Sequence, residues 1–172
     1  MSHFDEAFDH VIGVEGGYSN IKEDNGGPTN WGITQDTLAS FRGKPVSAND
    51  VKNLSQHEAK LIYRARYWNP LGCEEIQSKI LAMIIFDQGV NRGIGAAARS
   101  IQKLVGVKVD GMIGPQTIAA INEKQGKQLA LDFVFDAQEA YGRIVQYNNS
   151  QVVFIVGWLR RSHKLIELIF RA

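Results

Sequence analysis

The sequence predicts an all-α protein, and three observations carry that prediction. Apolar residues recur at helical spacing through most of the 172 residues, capping residues stand where these patterns begin, and glycine or proline stands where they end. The exception is a polar, glycine-rich loop over residues 16–33. Within it, Tyr18–Ile21 and Trp31–Ile33 are compatible with a short β-hairpin, so we expect one small hairpin after the first helix.

The first helix is predicted over about residues 2–15. Its apolar stripe consists of Phe4, Phe8, Val11 and Ile12. Glu15 falls on the same stripe, one turn beyond Val11. A carboxylate on the core-facing side of a helix is costly unless it is protonated or paired, so the position suits an acid that keeps its proton near neutral pH. The alternative is a glutamate that caps the helix end or extends into solvent.

Capping residues set the limits of the next helices. The positions that suit helix caps or ends are Thr34, Gly43, Ser47 and Ser55. Ser55 and Glu58 together form a capping-box pattern, and the helix that they open should stop at Asn69-Pro70.

The most apolar stretch, Ile80–Phe86, lies in a helix predicted over Ser78–Asn91, which we interpret as the central buried helix. Gly93 and Gly95 end this helix, and we place the boundary between residues 1–93 and 94–172 there. We expect the two regions to pack as one compact unit. Further helices are predicted over Ala96–Val105, from Pro115 onwards, and over about 126–147 and 150–171.

Composition excludes several classes of function. A net charge of +1 and a pI of about 7.9 are too balanced for a protein whose main partner is nucleic acid. The single cysteine, Cys73, excludes an internal disulfide, and we interpret it as an unreactive thiol. The four histidines lack metal-ligand spacing, so we expect neither a metal nor a cofactor. We also expect no signal peptide and no stable insertion in a membrane.

The loop after Glu15 mixes polar side chains with the aromatic rings of Tyr18 and Trp31. Such mixtures bind sugars, because aromatic faces stack on sugar rings while short polar groups bond hydroxyls. Asp24 supplies a second carboxylate in a polar setting, and two carboxylates in contrasting environments are typical of enzymes that cleave glycosidic bonds. The alternatives are that Asp24 only shapes a turn and that Trp31 only packs the loop into the core.

A long motif in this region resembles a known signature. Glu15-Gly16-Gly17-Tyr18, followed by Asp24-x-Gly26-Gly27-x-Thr29-x-x-Gly32-Ile33-Thr34, is similar to the signature of glycoside hydrolase family 108. That family comprises lysozyme-like N-acetylmuramidases of phage lysis modules and bacterial secretion loci. Further agreement comes from Tyr67-Trp68, Phe86-Asp87 and Val90-Asn91-Arg92-Gly93. Ile101-Gln102, with Asp110-Gly111-x-Ile113-Gly114-Pro115-x-Thr117, resembles the predicted peptidoglycan-binding region that accompanies the family.

The resemblance implies an α-rich, lysozyme-like fold, with residues 1–93 as the catalytic region and 94–172 as a helical peptidoglycan-binding subdomain. It implies that Glu15 is the catalytic acid and that Asp24 and Thr29 complete a Glu–Asp–Thr order like that of phage-type lysozymes. Asn30 is the alternative to Thr29 for positioning water. The candidate substrate ligands are Tyr18, Asn20, Asn30, Trp31, Asp87 and Asn91. For Asp87 the alternative is a bond to a neighbouring backbone group, or to Arg66 or Arg92.

We therefore predict a hydrolase that cleaves the β-1,4 bond between N-acetylmuramic acid and N-acetylglucosamine in the glycan strands of peptidoglycan. A lytic transglycosylase and a non-catalytic protein that binds the cell wall or assists secretion are the alternatives. The resemblance also leads us to expect synthesis in the bacterial cytoplasm and action in the periplasm or cell wall after release by a holin or an export system.

Overall fold

A computed structural model describes residues 2–12, 17–19 and 27–172, and within these residues the fold is helical apart from one small hairpin. The α-helices are α1 (His3–Ile12), α2 (Gln35–Arg42), α3 (Ala48–Lys52), α4 (Gln56–Tyr63), α5 (Lys79–Arg92), α6 (Ile94–Val105), α7 (Pro115–Asn122), α8 (Gly126–Tyr147) and α9 (Ile155–Arg171). The predicted all-α class is confirmed. The chain divides into two compact units, Met1–Arg66 and Tyr67–Ala172, which are called the N-terminal and C-terminal units below.

In the N-terminal unit, α1 packs on α4 through the predicted apolar stripe. Phe4 and Phe8 are buried, and the Phe8 ring meets the Tyr63 ring edge to face at 5.4 Å. At the margin of this contact, Lys60 pairs with Asp5 at 2.8 Å. The hydrogen bond from Lys60 is the largest of the contacts that lower the pKa of Asp5 to about 2. The described part of α1 ends at Ile12, so the predicted end near residue 15 lies outside the described residues.

The predicted caps form, with one difference. Thr34 accepts a bond from the backbone N–H of Thr37, and Ser47 makes a full capping box with Asp50. Ser55 accepts the N–H of Glu58 at 3.1 Å, which is the forward half of its predicted capping box. The Glu58 carboxylate instead accepts two bonds from Arg42, at 2.8 and 2.7 Å. An arginine fork is a stronger partner than a backbone N–H, which explains the difference.

The hairpin exists, but its strands differ from those predicted. β1 (Thr29–Asn30) pairs antiparallel with β2 (Ile33–Thr34), with Thr29 opposite Thr34 and Asn30 opposite Ile33. Trp31 therefore lies in the turn and not in a strand. The φ angles of Trp31 and Gly32 are 53° and 70°, and a two-residue turn in which both φ angles are positive matches the twist of the flanking strands.

The C-terminal unit is built around α5. This helix is buried along most of its length, as predicted, and it packs against α6, α8 and α9. Pro115 is the first residue of α7, also as predicted. The last predicted helix begins later, since residues 149–154 form a 3₁₀ turn before α9. Among the residues described, no helix has both the length and the apolar character needed to cross a membrane.

The division between the two compact units falls between Arg66 and Tyr67, because α5 packs with the helices that follow it. The boundary predicted near Gly93–Gly95 is a different one. It separates the predicted catalytic region from the predicted peptidoglycan-binding subdomain, and it stays a prediction.

Candidate functional site

The predicted site residues fall into three groups. Glu15, Asn20 and Asp24 lie outside the described residues. Tyr18, Thr29, Asn30 and Trp31 belong to the N-terminal unit, whereas Asp87 and Asn91 belong to the C-terminal unit.

Backbone pairing holds Thr29 in place. Ser19 and Thr29 exchange two backbone hydrogen bonds, both 2.8 Å long. These two residues flank the chain segment that contains Asp24, and Tyr18 next to them is 37% exposed. Pairing with Ser19 on one side and with Thr34 on the other fixes the backbone of Thr29, while its predicted catalytic role stays a prediction.

The Asn30 side chain ties the hairpin to α3. Asn30 is only 6% exposed, and its Nδ2 donates to the carbonyl oxygens of Val51 and Lys52 at 3.1 and 3.0 Å. Carbonyls at the end of a helix have no partner within the helix, so a buried amide that satisfies two of them stabilises the fold. This geometry gives Asn30 a structural role and gives no support to its assignment as a sugar ligand.

Trp31 is held by two bonds that use different parts of the residue. Its indole Nε1 donates to the carbonyl oxygen of Leu54 at 3.2 Å, and its own carbonyl oxygen accepts from the Tyr63 hydroxyl at 3.1 Å. A non-glycine residue with positive φ is uncommon, and these contacts stabilise it here. The indole N–H is thus used by the scaffold, which favours packing of the loop over stacking on a sugar.

Gly32 has both a positive φ angle and a close neighbour, so this position of the hairpin is sensitive to substitution. A Cβ added there would lie 2.7 Å from the Tyr63 hydroxyl oxygen, and φ is +70°. We expect Gly32→Ala to lower the free energy of unfolding by about 2–3 kcal/mol, because the backbone strain and the contact with Tyr63 act together. Chemical denaturation of the purified variant measures the loss.

Gly43→Ala is the matched control for Gly32→Ala. Gly43 has a similar φ of +66°, but nothing lies within 4 Å of an added Cβ. This variant should cost about 1 kcal/mol through the backbone alone. Equal losses in the two variants would show that the Tyr63 contact contributes nothing.

In the C-terminal unit, Asp87 is the centre of a buried polar cluster. Asp87 is 1% exposed, and Arg161 of α9 donates to its carboxylate from Nε, at 3.1 and 3.0 Å, and from Nη2, at 2.6 Å. Gln88 and Asn91 also donate to Oδ1, at 3.2 and 3.4 Å. An arginine is the partner, as predicted, but the choice of Arg66 or Arg92 is wrong. With its oxygens occupied, Asp87 joins α5 to α9, and the geometry gives no support to direct contact with substrate.

Asn91 lies beside a cavity of about 760 Å³ that is contained within the C-terminal unit. Asn91 and Arg92 of α5, Tyr141 of α8 and Trp158 of α9 contribute to its walls. The rings of Tyr141 and Trp158 are stacked, with centroids 4.9 Å apart. Burial lowers the pKa of Arg92, whose Nη1 is buried and lacks a hydrogen-bond partner among the described residues. The half-buried Trp158 ring and the polar groups of Asn91 and Arg92 in one cavity suit a sugar or an acidic group as ligand.

The connector between α6 and α7 is organised by Gln102. This side chain is 1% exposed, and its Nε2 donates to Asp110 Oδ1 and to the Met112 carbonyl oxygen, both at 2.9 Å. Its Oε1 accepts the backbone N–H groups of Asp110 and Gly111, at 3.1 and 2.9 Å. The bond from Gln102 is the main cause that lowers the pKa of Asp110. The sequence places Gln102 in a motif without assigning it a role, and the structure shows that it holds the connector.

Cys73 is buried in the C-terminal unit, where burial raises the pKa of its thiol. Across residues 2–12, 17–19 and 27–172, no group of three or more His, Cys, Asp or Glu side chains is placed to hold a metal ion.

The chain is similar to known proteins over nearly its whole length. Residues 8–93 match the family model described as Glycosyl hydrolase 108, and residues 96–163 match the model described as Predicted Peptidoglycan domain. No curated protein matches the chain. Among solved structures, that of SagA from Brucella abortus is similar, with 30% sequence identity and a TM-score of 0.82. The similarity covers 98% of this chain and 94% of that chain.

Proposed function

This chain belongs to the Glycosyl hydrolase 108 family and is a glycoside hydrolase that acts on peptidoglycan, and we propose on that premise that it is an N-acetylmuramidase. The bond cleaved is the β-1,4 bond between N-acetylmuramic acid and N-acetylglucosamine. The family match over residues 8–93 carries the proposal, because it contains the whole motif from Glu15 to Thr34.

Glu15 is the proposed general acid, which protonates the leaving oxygen of the glycosidic bond. On α1, Phe4 and Phe8 are buried and Val11 and Ile12 are half-buried. All four belong to the stripe on which the sequence places Glu15, which supports a partly apolar setting for the acid. Asp24 then stabilises the oxocarbenium-like transition state or helps to activate water. These are the roles that two carboxylates in contrasting environments perform in glycosidases.

Thr29 is the proposed partner of Asp24 in positioning water. The alternative, Asn30, is less suitable because its amide donors are bonded to carbonyls at the end of α3. Thr29 follows the segment that contains Asp24, and its backbone is fixed by Ser19.

The cavity beside Asn91 is the proposed contact of the C-terminal unit with the glycan strand. The Trp158 ring and the Arg92 guanidinium at this cavity support the assignment, because peptidoglycan offers both sugar faces and carboxylates. The site of action is then the periplasm or cell wall. Release from the bacterial cytoplasm by a holin or an export system, in phage lysis or in secretion, is part of the same proposal.

Mass spectrometry of the soluble products from purified peptidoglycan tests the proposed activity. We expect fragments with reducing N-acetylmuramic acid ends. Anhydro-muramoyl ends would replace the proposal with a lytic transglycosylase, and reducing N-acetylglucosamine ends would replace it with a glucosaminidase. Absence of released fragments from a folded chain, on peptidoglycan that a known muramidase digests, would favour a protein that only binds the wall.

A further inference from the structure

An exposed apolar surface lies where the 3₁₀ turn of residues 149–154 leads into α9. We call it the apolar patch, and its members are Val152, Val153, Phe154, Val156 and Leu159. The least exposed of them retains 46% of its accessible surface, and Val153 retains 74%. Scattered single apolar residues are common on protein surfaces, but a contiguous group of this kind usually marks a contact surface.

The charged residues of α9 that border the apolar patch are basic, and the nearest acid on that helix, Glu167, pairs with His163 at 3.4 Å. No acidic residue lies between Glu139 and Glu167 in the sequence. Arg160, His163 and Lys164 line a shallow groove of about 450 Å³ together with Val156 and Leu159 of the patch. Within the part of the chain that the structure describes, Arg160 and Lys164 take part in no ion pair. The patch therefore has a cationic rim.

The inner face of α9 is already committed to the C-terminal unit. Ser162, Leu165 and Ile169 are buried, and Arg161 is bonded to Asp87. The helix therefore cannot turn its outer face inwards without losing these contacts. Among the described residues of the C-terminal unit nothing covers the apolar patch, so it leaves water only against a further partner.

We propose that the apolar patch and its cationic rim dock on the surface of an anionic lipid bilayer. A bilayer offers negative headgroups directly above an apolar phase, which matches cations beside exposed valine, leucine and phenylalanine side chains. The attachment is interfacial, with the patch inserted among the headgroups and with Arg160 and Lys164 at the phosphates. The proposal is independent of the proposed function, because it uses no catalytic residue.

Two other occupants fit the same surface less well. A second copy of the chain, related by a two-fold axis, would place two cationic rims in one interface, and like charges repel. An anionic glycan polymer would satisfy the cations but would offer no apolar phase to the aliphatic side chains. Both occupants are outcomes of the test.

Co-sedimentation of the full chain with lipid vesicles tests the proposal. We expect binding to vesicles of phosphatidylcholine mixed with phosphatidylglycerol to be at least about tenfold tighter than binding to phosphatidylcholine alone. Added salt should weaken the binding to anionic vesicles, because it screens the attraction between headgroups and cations.

Two double variants separate the apolar and the charged contributions. Val153→Ser with Val156→Ser, and Arg160→Glu with Lys164→Glu, should each weaken binding to anionic vesicles by about tenfold or more. Matched controls lie elsewhere in the C-terminal unit: Met112→Ser, which is also highly exposed, and Lys124→Glu with Lys127→Glu. The two control lysines are near the start of α8, a helix about 33 Å long whose other end leads to the patch. Circular dichroism establishes that each variant is folded.

Several results would overturn the proposal. These are the absence of binding to either kind of vesicle, and binding that the patch variants leave unchanged. If the chain does not bind vesicles but forms a dimer in sedimentation equilibrium, and Val153→Ser with Val156→Ser abolishes that dimer, the patch would be assigned to self-association. If the chain does not bind vesicles but binds purified peptidoglycan, and Arg160→Glu with Lys164→Glu abolishes that binding, the cationic rim would be assigned to the wall polymer. Release of sugar fragments is measured separately and reports only on the proposed enzymatic function.

Discussion

Replacing Glu15 with glutamine is expected to lower the turnover of peptidoglycan by about 10²–10⁴-fold, the usual contribution of a positioned general acid. Glutamine keeps the shape of the side chain but cannot protonate the leaving oxygen. The fold should persist, and the unfolding temperature should stay the same or rise, because a carboxyl group in an apolar setting is replaced by a neutral one. Release of reducing ends from purified peptidoglycan measures the activity, and a thermal melt measures the stability.

Glu6→Gln is the matched control for this experiment. Glu6 lies on the same helix as the apolar stripe, but it is exposed, so its replacement changes the net charge equally without touching the predicted acid. We expect this variant to keep full activity. A Glu15→Gln variant that is as active as the wild type would refute the assignment of the acid. An equal loss in both variants would indicate an effect of charge and not of acid catalysis.

Helix limits could be predicted from the sequence because they depend on local chemistry. Thr34 and Ser47 cap the helices that they were expected to cap, and Pro115 opens α7. In each case the cap hydrogen bond or the fixed φ angle involves residues no more than three positions away. The family resemblance, by contrast, depended on a long motif from Glu15 to Thr34 and not on helix periodicity.

The hairpin shows where local reasoning fails. Gly32 suits a turn, but Trp31 has a low propensity for the left-handed region, so residue type argues against a turn that includes Trp31. The turn is stabilised by Leu54 and Tyr63, which are more than 20 residues away in sequence.

For the site residues too, the sequence indicates the residue type but not the partner. Asn30 was a candidate ligand because asparagine suits sugars, but its use by α3 becomes visible only in three dimensions. Gln102 shows the reverse. The sequence gives it no role within its motif, but its side chain holds the connector through bonds to residues that lie 8 or more positions away. Residue type gives the kind of partner, and the fold decides which partner is present.

Arg161→Met should be the most destabilising substitution considered for the C-terminal unit, with a loss of about 3 kcal/mol in the free energy of unfolding. Asp87 is almost fully buried, and Arg161 supplies its only cationic partner among the described residues. Methionine fills similar space but leaves the carboxylate with only the amide donors of Gln88 and Asn91. Urea denaturation measures the loss. Arg143→Met is the control, because its exposed pair with Glu139 should contribute about 0.5 kcal/mol or less.

The double variant Asp87→Asn with Arg161→Met tests the physical cause of that loss. The single substitution is costly mainly because a buried charge loses its partner, whereas the amide that Asp87→Asn introduces is neutral and its oxygen can still accept bonds from Gln88 and Asn91. We therefore expect the double variant to recover a large part of the stability that Arg161→Met loses. If the double variant is instead the less stable of the two, the loss comes from the packing of the arginine stem between α5 and α9, and the ion pair is not what joins these helices.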